Sequence, residues 1–119
     1  MQRFTEIRAL QRSHAMALRL YELASGLPAD QRFGLTSQIR RAAASVQTNI
    51  AEGSKRASAL EYARFLNTAE GSLVETEYLL VLSRDLGLIS GQEIEGILEE
   101  VNEIERMLSA LRRAVMQNH

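Results

Sequence analysis

Apolar residues recur at helical spacing along almost the whole chain, and nowhere do they alternate as in a half-buried strand. This period commits the chain to helices, so the architecture follows from where it breaks. It breaks three times. At Ser25-Gly26-Leu27-Pro28, Gly26 is suited to a left-handed residue just past a helix end, and Leu27 can fold back toward Tyr21. Pro28 blocks continuation, which ends a first helix begun near Thr5. At Gly53-Ser54-Lys55-Arg56-Ala57 a second helix ends, and Ser58 with Glu61 forms the S-x-x-E pattern of a reciprocal capping box that opens a third. Gly87-Leu88-Ile89-Ser90 repeats the device, with Gly87 past the helix end and Ser90 with Glu93 as a second box. The fourth helix then runs to about Met116.

Four long helices joined by short connections predict an all-α chain, an antiparallel up-down-up-down four-helix bundle forming one domain over residues 1–119. The second helix has a seam of Leu35, Ile39, Ala42, Val46 and Ile50. The fourth has the clearest one: Ile94, Ile97, Val101, Ile104, Leu108, Leu111 and Val115 step by threes and fours between flanking glutamates. The first and third helices are apolar over more than one stripe. In the first, Ile7, Leu10, His14, Ala17 and Tyr21 form one line, and Met16, Leu20, Leu23 and Leu27 another. In the third, Tyr62, Leu66, Ala69, Leu73 and Leu80 are broadened by Phe65, Leu79, Leu82 and Leu86. A monomeric bundle buries one stripe per helix, so the surplus predicts an oligomer, with Met16 and Leu20 among the structural or interface residues.

The chain has no Cys, which excludes thiol catalysis and thiolate zinc sites, and only two His. No stretch has the length of apolar sequence that a membrane span needs, and MQRFTEIRAL lacks the core of a signal peptide; a cytoplasmic location without a membrane partner is expected. The net charge of -1 hides an asymmetry: residues 1–57 carry +5 and the remainder -6. Two uses of that split stand side by side: basic and acidic halves of neighbouring copies meeting in a cyclic assembly, or neutralisation within each bundle.

Asn49 falls where the second helix's seam would continue, so it must find hydrogen bonds, and in doing so it fixes register. With Glu52 and Gly53 it could also line a cleft at that helix end. Gly71, in mid-helix, predicts a close approach of another helix, with Ala42-Ala43-Ala44-Ser45 as the natural counterpart. Arg40, Arg41, Lys55, Arg56 and Arg64 gather around the second helix and the turn that follows, as candidate nucleic-acid contacts. Arg40 and Arg41 flank the seam about 100° apart. The turn carries no aromatic beside its charges, so base stacking is not expected there. His14 has no Glu three residues before it, which removes the pair that di-iron bundles use, and it reads as a hydrogen-bonded core or interface histidine. Glu52, Glu61, Glu70 and Glu77 read as solvated faces or ion pairs. No catalytic residue, metal or cofactor is expected.

Several pieces of the sequence go beyond pattern: Phe33-Gly34-Leu35-Thr36-Ser37-Gln38, Arg40-Arg41-Ala42, Asn49-Ile50-Ala51-Glu52-Gly53, Arg56, Phe65-Leu66, Ala69-Glu70-Gly71-Ser72-Leu73 and Glu75-Thr76-Glu77. In these the chain resembles the four helix bundle protein family, which includes proteins encoded by intervening sequences in large-subunit (23S) ribosomal RNA genes. The resemblance implies a four-helix bundle assembled as a homopentameric ring with no known enzymatic activity. A related branch, the accessory variability determinant of diversity-generating retroelements, is similar in fold and works with a reverse transcriptase and structured RNA. Two function classes follow. One is a non-enzymatic oligomeric interaction or scaffold protein; the other is an RNA- or nucleoprotein-binding accessory protein acting through repeated basic residues.

Overall fold

The computed structural model describes residues 2–117, and among them there are four long helices and no strand. They are α1 (Gln2–Ser25), α2 (Leu35–Gly53), α3 (Ala59–Asp85) and α4 (Gly91–Gln117), with a short 3-10 turn at Ala29–Gln31 before α2.

The helix ends are set by local hydrogen bonding. Ser90 and Glu93 form the reciprocal box: the Glu93 amide donates to Ser90 Oγ at 3.1 Å, and the Ser90 amide donates to Glu93 Oε2 at 3.2 Å. At α3, Ser58 Oγ accepts from the Glu61 amide at 3.1 Å, the forward half of the same device. Gly87 has φ of 77°, and the bonds Leu88 N–H to Ser83 O and Gly87 N–H to Arg84 O, both 2.9 Å, close α3 in a Schellman turn. Gly26 behaves differently from expectation. Its φ is not positive; α1 unwinds through 3.1 Å bonds from Gly26 to Leu23 and from Leu27 to Ala24, and Leu27 is buried. The turn tightens because Leu27 is drawn into the core, and Pro28 begins the 3-10 turn that follows.

One apolar core takes residues from all four helices. The α4 seam is buried at every position read from the sequence, from Ile94 to Val115, and the α2 seam likewise. In α1 the buried face is Ala9, Ser13, Met16, Ala17, Leu20 and Ala24. Met16 and Leu20 are fully enclosed, so they are core residues of the chain itself, while Ile7, His14 and Tyr21 lie on the outside. Three of the hydroxyls that share the core are satisfied on their own helices: Ser13 donates to Ala9 O, Thr76 to Ser72 O and Ser83 to Leu79 O, at 2.7–2.8 Å.

Around the core, α1 packs on α2 and α4, and α3 packs on α2 and α4, so α1 and α3 sit on a diagonal. Gln47 Nε2 donates to Ser13 O at 2.6 Å between α1 and α2, and the Ser45 and Ser72 hydroxyls meet at 2.8 Å between α2 and α3. At the end of α2, Gly53 is buried where a Cβ would lie 2.6 Å from Phe65 Cβ and 3.0 Å from Tyr62 Cδ1. That is the close helix approach expected of Gly71. Gly71 is exposed, and a Cβ there would meet nothing within 4 Å. The α3 residue facing the small stretch of α2 is Ser72, one position on and about 100° around the helix.

Candidate nucleic-acid and subunit interfaces

The five basic residues expected to gather do not form one patch. Arg40 and Arg41 lie near the start of α2, whereas Lys55, Arg56 and Arg64 surround its far end, so most of a helix about 28 Å long separates the groups. Arg56 lies 4.0 Å from Glu52 and its guanidinium sits 4.7 Å from the centre of the Phe65 ring. An aromatic does therefore accompany this turn, supplied by α3 from nine residues along the chain. Lys55, Arg64 and Arg41 are exposed, and among the described residues none of them forms an ion pair.

Arg40 is held against α1. Its guanidinium donates to Tyr21 O at 3.2 Å and lies 5.3 Å from the Tyr21 ring centre. The result is a concavity of about 420 Å³ between the end of α1 and the start of α2, with Phe33 and Arg32 on its rim. Sequence reasoning missed Tyr21, Arg32 and Phe33 as a group. The nearest signal was Phe33-Gly34-Leu35, which marked family likeness and carried no prediction of exposure.

Asn49 is half-buried and donates to Ser45 O at 2.8 Å and to Ser45 Oγ at 3.0 Å. Its amide therefore supports the Ser45–Ser72 contact between helices. Glu52 is exposed, and the space beside Gly53 is filled by Phe65 and Tyr62, so these residues close the helix end rather than open a cleft. Tyr62 is itself tied across the diagonal: its hydroxyl donates to Glu6 Oε1 at 2.6 Å, and burial followed by that carboxylate pushes the phenol pKa far up. His14 is exposed beside Leu10, Gln11 and Gln47. Among the described residues, no three His, Asp or Glu side chains are grouped to hold a metal ion.

Several charges are matched within the chain. Arg12 meets Glu103 at 2.6 Å and Arg19 meets Glu100 at 2.8 Å, joining basic α1 to acidic α4. Arg112 of α4 meets Glu70 of α3 at 2.6 Å, with a second contact at 3.4 Å. The hydrogen bond from Arg12 holds the Glu103 carboxyl below its ordinary range. Glu105 is pushed the other way, by partial burial first and then by Glu77 and Glu70.

The surface also carries large exposed apolar side chains. On α1, Phe4 is 70% exposed and Leu18 60%, with Ile7 and Tyr21 also exposed. With Gln11 and His14 they follow heptad spacing along the outer side. On α3, Leu60, Val74 (54%) and Tyr78 (61%) lie in one line with Asn67 and Gly71. Because α1 and α3 are diagonal, these two stripes face away from each other.

The fold and surface define a class: an all-α chain of four long helices, two of which expose apolar stripes. Residues 5–110 match the 23S rRNA-intervening sequence protein family, and the chain belongs to that family. No curated protein matches it. Among solved structures it is similar to a protein with unknown function from the S23 ribosomal protein family of Bacteroides thetaiotaomicron. The two are 27% identical with a TM-score of 0.85, over 92% of this chain and 98% of the other. Among the described residues, no helix is long and apolar enough to cross a membrane.

Proposed function

We propose that the chain is a non-enzymatic, cytoplasmic scaffold protein whose copies join into a closed ring, five in number as the family likeness implies, each copy an up-down-up-down bundle. The bundle order is supported by the reversed sequence of cross-helix pairs: Ser13 with Gln47 but Tyr21 with Arg40, Ser45 with Ser72 but Gly53 with Phe65, and Arg12 with Glu103 but Arg19 with Glu100. The observation that carries the ring is the pair of exposed apolar stripes on diagonal helices. Two different surfaces pointing away from each other suit a head-to-tail contact, in which α1 of one copy meets α3 of the next, and such contacts close into rings. Arg8 borders the first stripe and Glu75 the second, both exposed, which gives that contact opposite charges at its edge. Gly71, with no Cβ on the α3 stripe, leaves room for the neighbour's helix.

The test uses Leu18→Glu and Val74→Glu, measured by sedimentation velocity against the 13.3 kDa chain mass. Each variant alone is expected to lose its closed assembly while keeping its helical circular dichroism. Mixed, they are expected to form a one-to-one dimer, because the intact α1 of one can still meet the intact α3 of the other. Unchanged assembly in both variants, or no association on mixing, would refute the contact.

A second reading, an accessory protein that binds RNA or a nucleoprotein, is favoured by the arginines at the start of α2 that have no carboxylate partner among the described residues.

A further inference from the structure

The connection from α1 to α2 presents an aromatic ring and a set of cations to one concavity. Phe33 is 91% exposed, so the chain leaves nearly a whole phenyl ring in water. Arg32 lies 5.6 Å from the centre of that ring. Arg40 lines the wall, anchored on Tyr21, with its Nε buried and without an acceptor among the described residues. Arg41, Ser37 and Thr36 add to the polar lining.

The charged side chains that line this concavity are all of one sign. Arg12, Arg19, Arg84 and Arg112 each have a carboxylate within 3.0 Å, whereas Arg32, Arg40 and Arg41 form no ion pair among the described residues. The nearby acids Glu22 and Asp30 are exposed and form none with them. Three guanidiniums around one concavity repel one another, and an anion placed among them removes that repulsion. The start of α2 at Gly34 has no side-chain cap, so the field of the helix N-terminus adds to theirs. A bare anion would use the guanidiniums and leave the Phe33 ring idle. A phosphate attached to a flat base would use both, because arginine holds phosphate oxygens and an open aromatic face accepts a stacked base.

We propose that this concavity is a nucleotide-binding site, in which Arg32, Arg41 and Ser37 hold a phosphate and Phe33 stacks the adjoining base. The inference rests on the nucleic-acid reading and gives it a location. It requires no ring, since the concavity is complete within one chain. The nucleotide is either free or part of an RNA strand, and both bring the same phosphate and base.

The experiment is fluorescence anisotropy with a labelled short oligoriboadenylate, with AMP and inorganic phosphate as competitors. Saturable binding that weakens with salt is expected. Arg41→Glu is expected to lower affinity at least about tenfold, and Phe33→Ala roughly tenfold, with Phe33→Tyr restoring it. Arg64→Glu, at the other end of the bundle, is expected to bind as the parent does. AMP displacing the probe better than inorganic phosphate supports base recognition and points to free nucleotide as a ligand. Displacement by unlabelled oligomer alone places the site on an RNA strand. Binding that ignores Phe33→Ala and Arg41→Glu would overturn the site while leaving RNA binding intact; no binding at low salt would overturn both. A change of assembly mass in Phe33→Ala would instead make Phe33 a subunit contact and overturn the proposal.

Discussion

A methyl group at Gly53 has nowhere to go. Its Cβ would lie 2.6 Å from Phe65 Cβ, against about 3.5–4.0 Å for carbons in contact, so α2 and α3 must separate locally by roughly 1 Å. No rotamer change relieves this, because Phe65 Cβ is fixed to the α3 backbone. Overpacking of this kind costs about 1–3 kcal/mol. Replacing glycine by alanine in a helix returns up to about 1 kcal/mol, and less at Gly53 because it is the last residue of α2. Gly53→Ala is therefore expected to destabilise the chain by about 1–2 kcal/mol, which for a domain of this size lowers Tm by roughly 4–8 °C. Gly96→Ala isolates the propensity effect, since Gly96 is exposed in α4 with nothing within 4 Å of a Cβ. It is expected to raise Tm by up to about 4 °C. Thermal and urea denaturation followed by circular dichroism, at one protein concentration, measures both. A Gly53→Ala protein that melts at or above the parent while Gly96→Ala behaves as stated would refute the close approach.

Three further expectations concern single groups. Glu105→Gln should raise Tm at pH 7, because the carboxyl's pKa is raised in the folded chain and its ionised form is disfavoured there; the gain should close as pH falls to about 4, where the unfolded chain also holds the proton. Tyr62→Phe should cost about 1–2 kcal/mol in urea denaturation at pH 7 through loss of the bond to Glu6. It should also remove a fall in stability above pH 10.0, where the unfolded phenol ionises and the folded one keeps its proton. Gly87→Ala should destabilise by about 1 kcal/mol, since φ of 77° is strained for any residue with a Cβ, and an unchanged melting curve would contradict the Schellman geometry.

Local chemistry made three helix boundaries legible. Ser58 and Ser90 act on amides three residues away, and Gly87 needs only its own φ, so these ends could be read without knowing any neighbour. The α4 seam was equally plain because that helix has one apolar face. In α1 the apolar residues cover two lines, and periodicity cannot rank them. Packing chose the line through Met16 and Leu20, and turned Ile7, His14 and Tyr21 of the other outward.

The candidate site was legible only in part for the same reason. Arg40 and Arg41 were marked by type, yet the Tyr21 and Phe33 rings joined them only when the end of α1 was laid beside the start of α2. Charge pairing was likewise undecided in one dimension: the split between halves fitted two arrangements, and the contacts of Arg12 and Arg19 with α4 placed those two charges within the chain.

What the sequence determined by itself was therefore the helices, the starts of α3 and α4, the end of α3 and the two clean seams, because each depends on residues within a turn or two of one another. Which glycine meets a helix, which face of α1 is core, and which cations are left without partners were decided by tertiary structure alone. Each depends on the rotation of one helix against another, and one residue's difference along the chain, as between Gly71 and Ser72, turns a side chain by about 100°.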